Sequence, residues 1–202
     1  MTRAANPVVH VVDDDEAFRD SLTWLLEGHG FEVRAHASAT QFFAAGLPAP
    51  GSVILLDVRM PGMTGMQAHD ELARRGAAAP IIFITGHGDV PMAVEAVKKG
   101  AFDFLEKPFQ DERLIELIRR AATQGASRAP GGVRATGRLQ ALTQREREVL
   151  DRVVAGRLNK SIADDLGISI KTVEAHRAKV MEKMQAKSLA ELIQIALAEK
   201  SG

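Results

Sequence analysis

The amino-acid sequence predicts an α/β protein, in which a doubly wound, five-stranded parallel sheet is linked to a small all-α helix-turn-helix domain. Two observations predict the sheet. Five short apolar runs alternate with amphipathic helical segments over residues 8–122, and continuously apolar strands of this kind are typical of buried parallel sheets. A third observation predicts the second domain. After a segment that contains Gly, Pro, Ser and Arg and has no apolar period, the sequence shows only helical periodicity.

The strands and helices of the predicted sheet follow one another in strict alternation. The apolar runs that we expect to be strands span residues 8–12, 31–35, 53–56, 81–84 and 101–105. The segments that we expect to be helices span residues 17–27, 41–45, 66–74, 91–98 and 111–122. Right-handed crossovers between parallel strands leave few topologies. A flavodoxin-like order fits best, and ligands then bind beyond the carboxyl ends of the strands.

The second domain is predicted from its helix starts and stops. Thr143 and Glu146 have the spacing of a capping box at the start of its first helix. A short helix, a turn at Gly167 and a longer helix over residues 169–184 then give the helix-turn-helix pattern. A last helix begins at Ser188, which is a good N-cap residue.

Three regions are therefore predicted: an α/β domain over residues 1–124, a flexible linker over residues 125–138 and a helical domain over residues 139–202. Their charges differ. Residues 1–125 hold 12 Lys and Arg against 17 Asp and Glu, a net charge of −5, whereas the remainder holds 14 against 9, a net charge of +5. An acidic front and a basic back suggest two modules with different partners, the second of them nucleic acid.

The composition excludes several kinds of site and location. The sequence has no cysteine, which excludes disulfides, thiolate zinc sites and thiol catalysis. It shows no secretory signal, and no apolar stretch approaches the roughly 18 residues that a membrane span needs. We therefore expect a cytoplasmic protein without a membrane partner.

Charged and polar residues stand where the predicted strands end. Asp13 and Asp14 follow the first strand, Asp57 follows the third, Thr85 ends the fourth and Lys107 follows the fifth. These ends are neighbours in the predicted sheet, so three carboxylates, a hydroxyl and an ammonium are expected to converge. Clustered carboxylates repel one another unless a cation sits among them. Hard oxygen ligands of this kind suit Mg²⁺.

The same groups suit phosphoryl transfer onto Asp57. A carboxylate can attack phosphorus and hold it as an acyl phosphate, and a metal ion bridging the two would neutralise the charge of the transfer. Lys107 would pair with one phosphate oxygen, and Thr85 would donate a hydrogen bond to another. We therefore predict that Asp57 is a phosphoryl acceptor.

Four motifs resemble the receiver domain of two-component response regulators, over about residues 6–122. In chain order they are VVDDDE, LLDVRMPGMTG, ITGHG and LEKPF. The resemblance implies that a sensor histidine kinase phosphorylates Asp57. It also implies that Mg²⁺ is bound by Asp13, Asp14, Asp57 and the backbone carbonyl of Arg59.

The receiver resemblance also implies a switch. Thr85 would move toward the phosphoryl group, and Phe104, three residues before Lys107, would turn inward into the space that this movement frees. Plain core packing is the alternative role of Phe104. The peptide bond between Lys107 and Pro108 is expected to be cis.

The longer helix of the helix-turn-helix is the candidate DNA reader, because the N-terminal residues of such a helix meet base edges in the major groove. Its exposed positions are expected to include Lys171, Thr172, Glu174, Ala175, His176 and Lys179. Glu174 suits a cytosine amino group. Four cations suit phosphates, namely Lys160, Arg177, Lys179 and Lys183. A solvated basic surface is the alternative.

Residues 139–199 resemble the LuxR/NarL-type DNA-binding domain, through the runs TQREREVL, NKSIA and SIKTVEAHRAKVMEKM. Together the two resemblances imply a regulator that forms a homodimer on phosphorylation. Residues 188–198 would form the contact between the two subunits when the dimer is bound to DNA. They imply promoter binding and activation of transcription, with RNA polymerase as a further partner. The runs ITGHGDVPMAVEAVKKGAFDF and EAHRAKVMEKMQAKSL closely resemble rhizobial regulators of nitrogen-fixation and microaerobic genes, which implies an oxygen-linked sensor kinase.

Two other functions fit parts of the sequence. An aspartyl-phosphate phosphatase or phosphotransferase needs a second acid two residues after its nucleophile, where this chain has Arg59. We therefore expect that the protein is not an enzyme and that its phosphorylated form at most dephosphorylates itself slowly. A receiver that signals through protein contacts alone would use the helical tail as an interaction bundle. His10 and His87 are interpreted as strand and loop residues without chemistry.

Overall fold

The structure is a computed structural model of the 202-residue chain, and it describes residues 6–86, 90–124 and 137–201. The chain divides into two units, one with residues 1–87 and 104–128 and the other with residues 88–103 and 129–202. His87 and residues 125–136, which make up most of the predicted linker, lie outside the described residues. The predicted domain boundaries therefore remain predictions.

One parallel sheet organises the first part of the chain. Its strands are β1 (Val8–Val12), β2 (Glu32–His36), β3 (Val53–Asp57), β4 (Ile81–Thr85) and β5 (Asp103–Glu106). Within the described residues the sheet has five strands in the order β2-β1-β3-β4-β5. The pairs β1–β2, β1–β3 and β3–β4 run parallel. The predicted flavodoxin-like fold is therefore confirmed.

Helices alternate with these strands. They are α1 (Glu16–Gly28), α2 (Ala39–Ala44), α3 (Gly65–Arg74), α4 (Val90–Lys98) and α5 (Asp111–Gln124). The central strands β3 and β4 are buried along their whole length, with the sequences VILLD and IIFIT. The first four residues of each strand are apolar, as a strand that is covered on both faces requires.

Some predicted ends are wrong by two residues. Helix α2 begins at Ala39 rather than at residue 41, because the hydroxyl of Ser38 accepts a hydrogen bond from the backbone N–H of Gln41 at 3.1 Å and caps the helix. Strand β5 begins at Asp103 rather than at residue 101. Ala101 and Phe102 are buried before the strand starts, so their apolar character indicates burial rather than strand pairing.

The C-terminal helices are α6 (Gln144–Val154), α7 (Asn159–Leu166), α8 (Ile170–Met184) and α9 (Leu189–Ser201), preceded by a 3-10 helix over Arg138–Ala141. The capping box of Thr143 and Glu146 is present, as predicted. Gly167 ends α7 with φ +64°, a left-handed conformation that glycine adopts without steric cost. In the described part of the chain, no helix combines the length and apolar character of a membrane span.

Candidate functional site

Two buried carboxylates lie at the carboxyl ends of neighbouring strands. Asp57 is the last residue of β3, and Asp13 follows β1 directly. Their strands pair in register, with Val12 opposite Leu56. Only 3% of Asp13 and 8% of Asp57 is exposed. The sheet thus places these two acids together at the edge where doubly wound folds bind ligands.

Lys107 joins the two acids. Its Nζ donates to Oδ2 of Asp13 at 2.9 Å and to Oδ1 of Asp57 at 3.2 Å. Its backbone N–H donates to the carbonyl of Thr85 at 2.7 Å, which ties the segment after β5 to the end of β4. The Lys107–Pro108 peptide bond is cis, as expected. The structure therefore brings Asp13, Asp57 and Lys107 into direct contact.

The charges of this cluster perturb one another. Burial raises the pKa of Asp57 above its ordinary value, and the charge of Asp13 raises it further. Lys107 and the Arg59 N–H oppose that rise without cancelling it. Burial acts to lower the pKa of Lys107, but the two carboxylates outweigh it and the pKa is raised. Two carboxylates against one ammonium leave a negative excess that favours a cation or a positively polarised group.

Backbone contacts fix the position of Asp57. The backbone N–H of Arg59 donates to Oδ2 of Asp57 at 2.7 Å. The start of α3 packs so closely behind this residue that a Cβ on Gly65 would lie 2.1 Å from the Asp57 carbonyl oxygen. Gly65 also donates its N–H to the carbonyl of Val58 at 3.0 Å. Glycine is therefore required at residue 65 by close backbone approach.

Asp13 is held in place by two contacts that the sequence did not predict. Its Oδ1 accepts a hydrogen bond from the backbone N–H of Asp15 at 2.9 Å. Its carbonyl accepts one from Nη1 of Arg19 at 2.8 Å. Arg19 lies on α1, so the helix is anchored to the end of β1. No motif marks such a side-chain-to-backbone contact, which is why Arg19 escaped prediction.

Thr85 presents a buried hydroxyl near this cluster in the fold. The residue is fully buried at the end of β4. Within the described residues, its Oγ1 has no hydrogen-bond partner. A buried hydroxyl without a partner is costly, and a bound phosphoryl oxygen would relieve that cost. Phe104, the other predicted switch residue, is partly buried in β5.

The predicted metal ligands are only partly gathered. Among the residues that the structure describes, no three His, Cys, Asp or Glu side chains converge to hold a metal ion. Asp13 and Asp57 share Lys107, whereas Asp14 is exposed. The donors nevertheless fit Mg²⁺, which takes one or two carboxylates and keeps several waters. Two buried carboxylates with a negative excess meet that requirement.

An aromatic residue completes the surroundings of Lys107. The Nζ atom lies 3.7 Å from the centroid of the Phe18 ring. The ring of Phe109 meets that of Phe18 edge-on, with centroids 6.2 Å apart. The sequence marks Phe18 only as one apolar residue of the helix predicted over residues 17–27. Helical periodicity does not identify what a side chain covers, so this contact was not predicted.

The structure exposes most of the side chains that the sequence proposes for DNA contact. Most of the candidate residues are exposed, namely Lys160, Lys171, Thr172, Glu174, Ala175 and Lys179, and His176 is partly exposed. Ile170, which sequence reasoning did not select, is 45% exposed at the first position of the helix. An exposed apolar residue among polar ones at the start of this helix is the feature that makes Ile170 a further candidate for contact with DNA.

Two of the predicted phosphate contacts are engaged within the protein. Nη1 of Arg177 donates to Oδ1 of Asn159 at 2.5 Å, which links α8 to α7. Nζ of Lys183 lies 2.7 Å from Oε2 of Glu146, a buried acid of α6. Both cations are partly exposed. Their predicted contacts with phosphates stay predictions, but each has a structural partner as well.

The fold and the cluster at its strand ends define a class. An acidic cluster with a lysine at the strand ends of a doubly wound sheet, followed by a helix-turn-helix, is the architecture of a DNA-binding response regulator. The family model of the response regulator receiver domain matches residues 9–119, and that of the bacterial regulatory proteins of the luxR family matches residues 140–196. The chain belongs to the response regulators with a LuxR-type DNA-binding domain.

Among its relatives are FixJ proteins. The transcriptional regulatory protein FixJ of Azorhizobium caulinodans is 52% identical over 196 residues, which cover 94% of this chain and 91% of that protein. The FixJ of Rhizobium meliloti is 51% identical over 195 residues, covering 94% and 95%. The crystal structure of full-length FixJ from B. japonicum is 42% identical, with a TM-score of 0.58 and coverage of 98% and 100%. The chain is therefore a FixJ-like transcription regulator.

Proposed function

We propose that this chain is a transcription factor controlled by phosphorylation of Asp57. The single observation that carries the proposal is the ammonium of Lys107, which bridges Asp57 and Asp13 at adjacent strand ends. The phosphoryl donor is a sensor histidine kinase. Phosphorylation favours a homodimer, which binds promoter DNA and activates transcription together with RNA polymerase.

The chain's own groups account for the transfer. A carboxylate oxygen of Asp57 forms a bond to phosphorus, while the bond from phosphorus to the kinase's histidine nitrogen breaks and its electron pair stays on the imidazole. Lys107 then exchanges a carboxylate contact for a phosphoryl oxygen. The buried hydroxyl of Thr85, which lacks a partner within the described residues, donates to another phosphoryl oxygen.

Magnesium is the proposed cofactor of this site. Asp13, Asp14, Asp57 and the backbone carbonyl of Arg59 would hold it. When bound, the ion would neutralise the negative charge of the phosphoryl group during its transfer. The negative excess around Asp57, expressed in its raised pKa, supports this assignment.

The response to phosphorylation is proposed to pass through Thr85 and Phe104. Thr85 moves toward the phosphoryl group, and Phe104 turns into the freed space. Such a movement biases a two-state receiver toward its active state. The buried hydroxyl of Thr85, which has no hydrogen-bond partner among the described residues, supports its part in the switch, because a phosphoryl oxygen would accept a hydrogen bond from it.

The second half of the proposal concerns DNA. Two copies of α8 are expected to meet half-sites about one helical turn apart. The exposed side chains of Lys171, Glu174 and Ala175 would lie against base edges, while Lys160 and Lys179 would contact phosphates. Because promoter DNA is its partner, we place the protein in the cytoplasm.

The regulated genes are proposed from similarity. The relatives named FixJ support nitrogen-fixation and microaerobic genes as targets, and an oxygen-linked, FixL-like sensor histidine kinase as the donor. A regulator of different name, the tetrathionate response regulatory protein TtrR of Salmonella typhimurium, is 44% identical over 185 residues. The assignment of genes therefore depends on the higher identity to FixJ.

An enzymatic role is not proposed. Arg59 stands where an aspartyl-phosphate phosphatase or phosphotransferase needs its general acid, and the Arg59 backbone N–H is bonded to Asp57. The acyl phosphate is thus expected to persist as a signal and to hydrolyse slowly.

DNA binding with and without a small phosphodonor tests the proposal. Sites selected from random DNA with phosphodonor-treated protein are used in gel shifts over a range of salt. We expect the wild type to bind more tightly after treatment, with a steep salt dependence, and Asp57→Asn to show no such gain. An equal gain in Asp57→Asn would contradict the proposal. Absence of any salt-dependent shift would favour signalling through protein contacts alone.

A further inference from the structure

We propose that Phe18 is a positioning residue for phosphoryl transfer. This inference rests on the proposed role of Asp57 as the phosphoryl acceptor. Its aromatic face holds the ammonium of Lys107 between Asp13 and Asp57 before the phosphoryl donor arrives. The carrying observation is the 3.7 Å distance from Nζ of Lys107 to the centroid of the Phe18 ring. A cation at this distance from a ring face is attracted by the ring quadrupole.

Lys107 needs such a support. Its side chain is a flexible four-carbon stem with a compact charge, and 29% of it is exposed. Its ammonium has three N–H donors, and Asp13 and Asp57 accept hydrogen bonds from it. The ring of Phe18 lies against the same ammonium. Two carboxylates and one ring thus define where the charge sits.

Phe18 is itself held firmly. Its backbone N–H donates to Oδ1 of Asp15 at 3.0 Å in the N-cap of α1. The next residue, Arg19, binds the carbonyl of Asp13 at 2.8 Å. Phe109 packs edge-on against the ring from the segment that follows Lys107. The ring is therefore positioned by the same backbone that positions Asp13.

Preorganisation is the consequence. A charged group that is already in place when the phosphoryl group arrives pays less conformational entropy during the reaction. Without the ring, Lys107 would sample positions in solvent, and phosphorylation of Asp57 would slow while the fold stays intact. We expect Phe18→Leu to lower the rate of phosphorylation by a small phosphodonor about fivefold. Phe18→Tyr, which keeps an aromatic face, should restore most of the rate.

A fluorinated series at residue 18 separates the ring's charge distribution from its packing. Replacing Phe18 with mono-, di- and trifluorophenylalanine weakens the negative face of the ring stepwise, with little change in shape. The full chain is treated with acetyl phosphate and Mg²⁺, and formation of phospho-Asp57 is followed by intact mass. The signals of the Lys107 methylene protons, shifted by the ring current, report the contact independently without phosphodonor or metal.

The outcomes are distinct. A rate that falls with each added fluorine, at unchanged melting temperature, supports the positioning role. Lys107 methylene signals without a ring-current shift in the wild type would overturn it. A flat fluorine series overturns the inference, including the case in which Phe18→Leu is slow, because packing alone would then explain it. If the wild type forms no phospho-Asp57, the proposed function itself fails, and the inference fails with it.

Discussion

The ammonium of Lys107 lies 2.9 Å from Oδ2 of Asp13, a residue 94 positions earlier in the chain. This ion pair joins the segment after β5 to the end of β1. The same ammonium reaches Asp57 on β3. A buried cluster of this kind lowers the free energy of unfolding, because its excess carboxylate charge is costly in the folded protein. Such a cost is typical of functional sites.

The first prediction follows from the excess charge. The pKa of Asp57 is raised, so its ionised form destabilises the folded protein at pH values above that pKa, and the cost disappears as the pH falls through it. In the absence of divalent ions, Asp57→Asn should therefore unfold at a higher urea concentration than the wild type at pH 7. The gain should shrink in acid.

The control for this prediction is Asp164→Asn, which changes an exposed acid of α7. It should leave the urea midpoint within a few tenths of a molar, since surface substitutions are usually within about 0.5 kcal/mol of neutral. A loss of stability in Asp57→Asn at pH 7 would contradict the assigned charge balance.

The second prediction concerns a buried histidine pair. His10 and His36 lie on neighbouring strands with stacked rings, and Nδ1 of His10 is 3.3 Å from Nε2 of His36. Burial, and then the charge of His36, lowers the pKa of His10 to about 4. Both rings are therefore neutral in the folded protein near pH 7.

Stability should consequently fall as the pH drops from about 6.5 toward 4, because the unfolded chain takes up protons that the folded chain resists. His10→Gln, which removes one titrating ring, should flatten this part of the pH profile by about 2 kcal/mol. Identical profiles for wild type and His10→Gln would refute the prediction, and urea unfolding at each pH measures it.

The third prediction separates two lysines of α8. Lys183 pairs with the buried Glu146 at 2.7 Å, and this contact is the main reason why the pKa of Glu146 is lowered to about 2. Lys183→Met should destabilise the protein by about 2 kcal/mol at pH 7, because it leaves a buried carboxylate without its cation. The difference in the free energy of unfolding between the variant and the wild type should vanish as the pH falls from about 4.5 toward 2, because Glu146 is then protonated in both the folded and the unfolded protein.

Lys179→Met is the matched variant, since Lys179 is exposed on the same helix. It should leave stability unchanged and lower the salt slope of DNA binding by about one unit. If Lys183→Met weakens DNA binding as Lys179→Met does and keeps full stability, the structural role of Lys183 is wrong.

The fourth prediction concerns the close contact behind Asp57. Gly65→Ala would place a Cβ 2.1 Å from the Asp57 carbonyl oxygen, so β3 and α3 must move apart. We expect a loss of stability of about 3 kcal/mol and much slower phosphorylation. Gly28→Ala, at the end of α1 with no atom within 4 Å of the added carbon, should be neutral or slightly stabilising. Thermal unfolding and phosphorylation rates of both variants check this contrast.

The sequence predicted the central strands and the meeting of Asp13, Asp57 and Lys107, because both follow from apolar runs and from the topology of parallel sheets. Apolar runs locate β1, β3 and β4, and the topology of parallel sheets then places Asp13, Asp57 and Thr85 at one edge. The contact of Lys107 with both acids follows from the same argument. These features need no knowledge of side-chain conformation.

Other features depend on pairings that are distant in sequence. Periodicity identifies Phe18 as an apolar position of α1, but it does not show that the ring faces an ammonium rather than the core. Likewise, Lys183 reads as an exposed cation of α8, while its partner Glu146 lies 37 residues earlier. The sequence contains no local signal for either pairing, so only the folded structure reveals them.

Chemical trapping of the acyl phosphate tests the central assignment most directly. Protein treated with acetyl phosphate and Mg²⁺ is reduced with borohydride, which converts an aspartyl phosphate to homoserine, and the position is found by peptide mass spectrometry. Homoserine at residue 57, and its absence from Asp57→Asn, is the predicted result. Homoserine at another acid, or none in wild-type protein that is folded and treated with donor, would contradict the assignment of Asp57 as the phosphoryl acceptor.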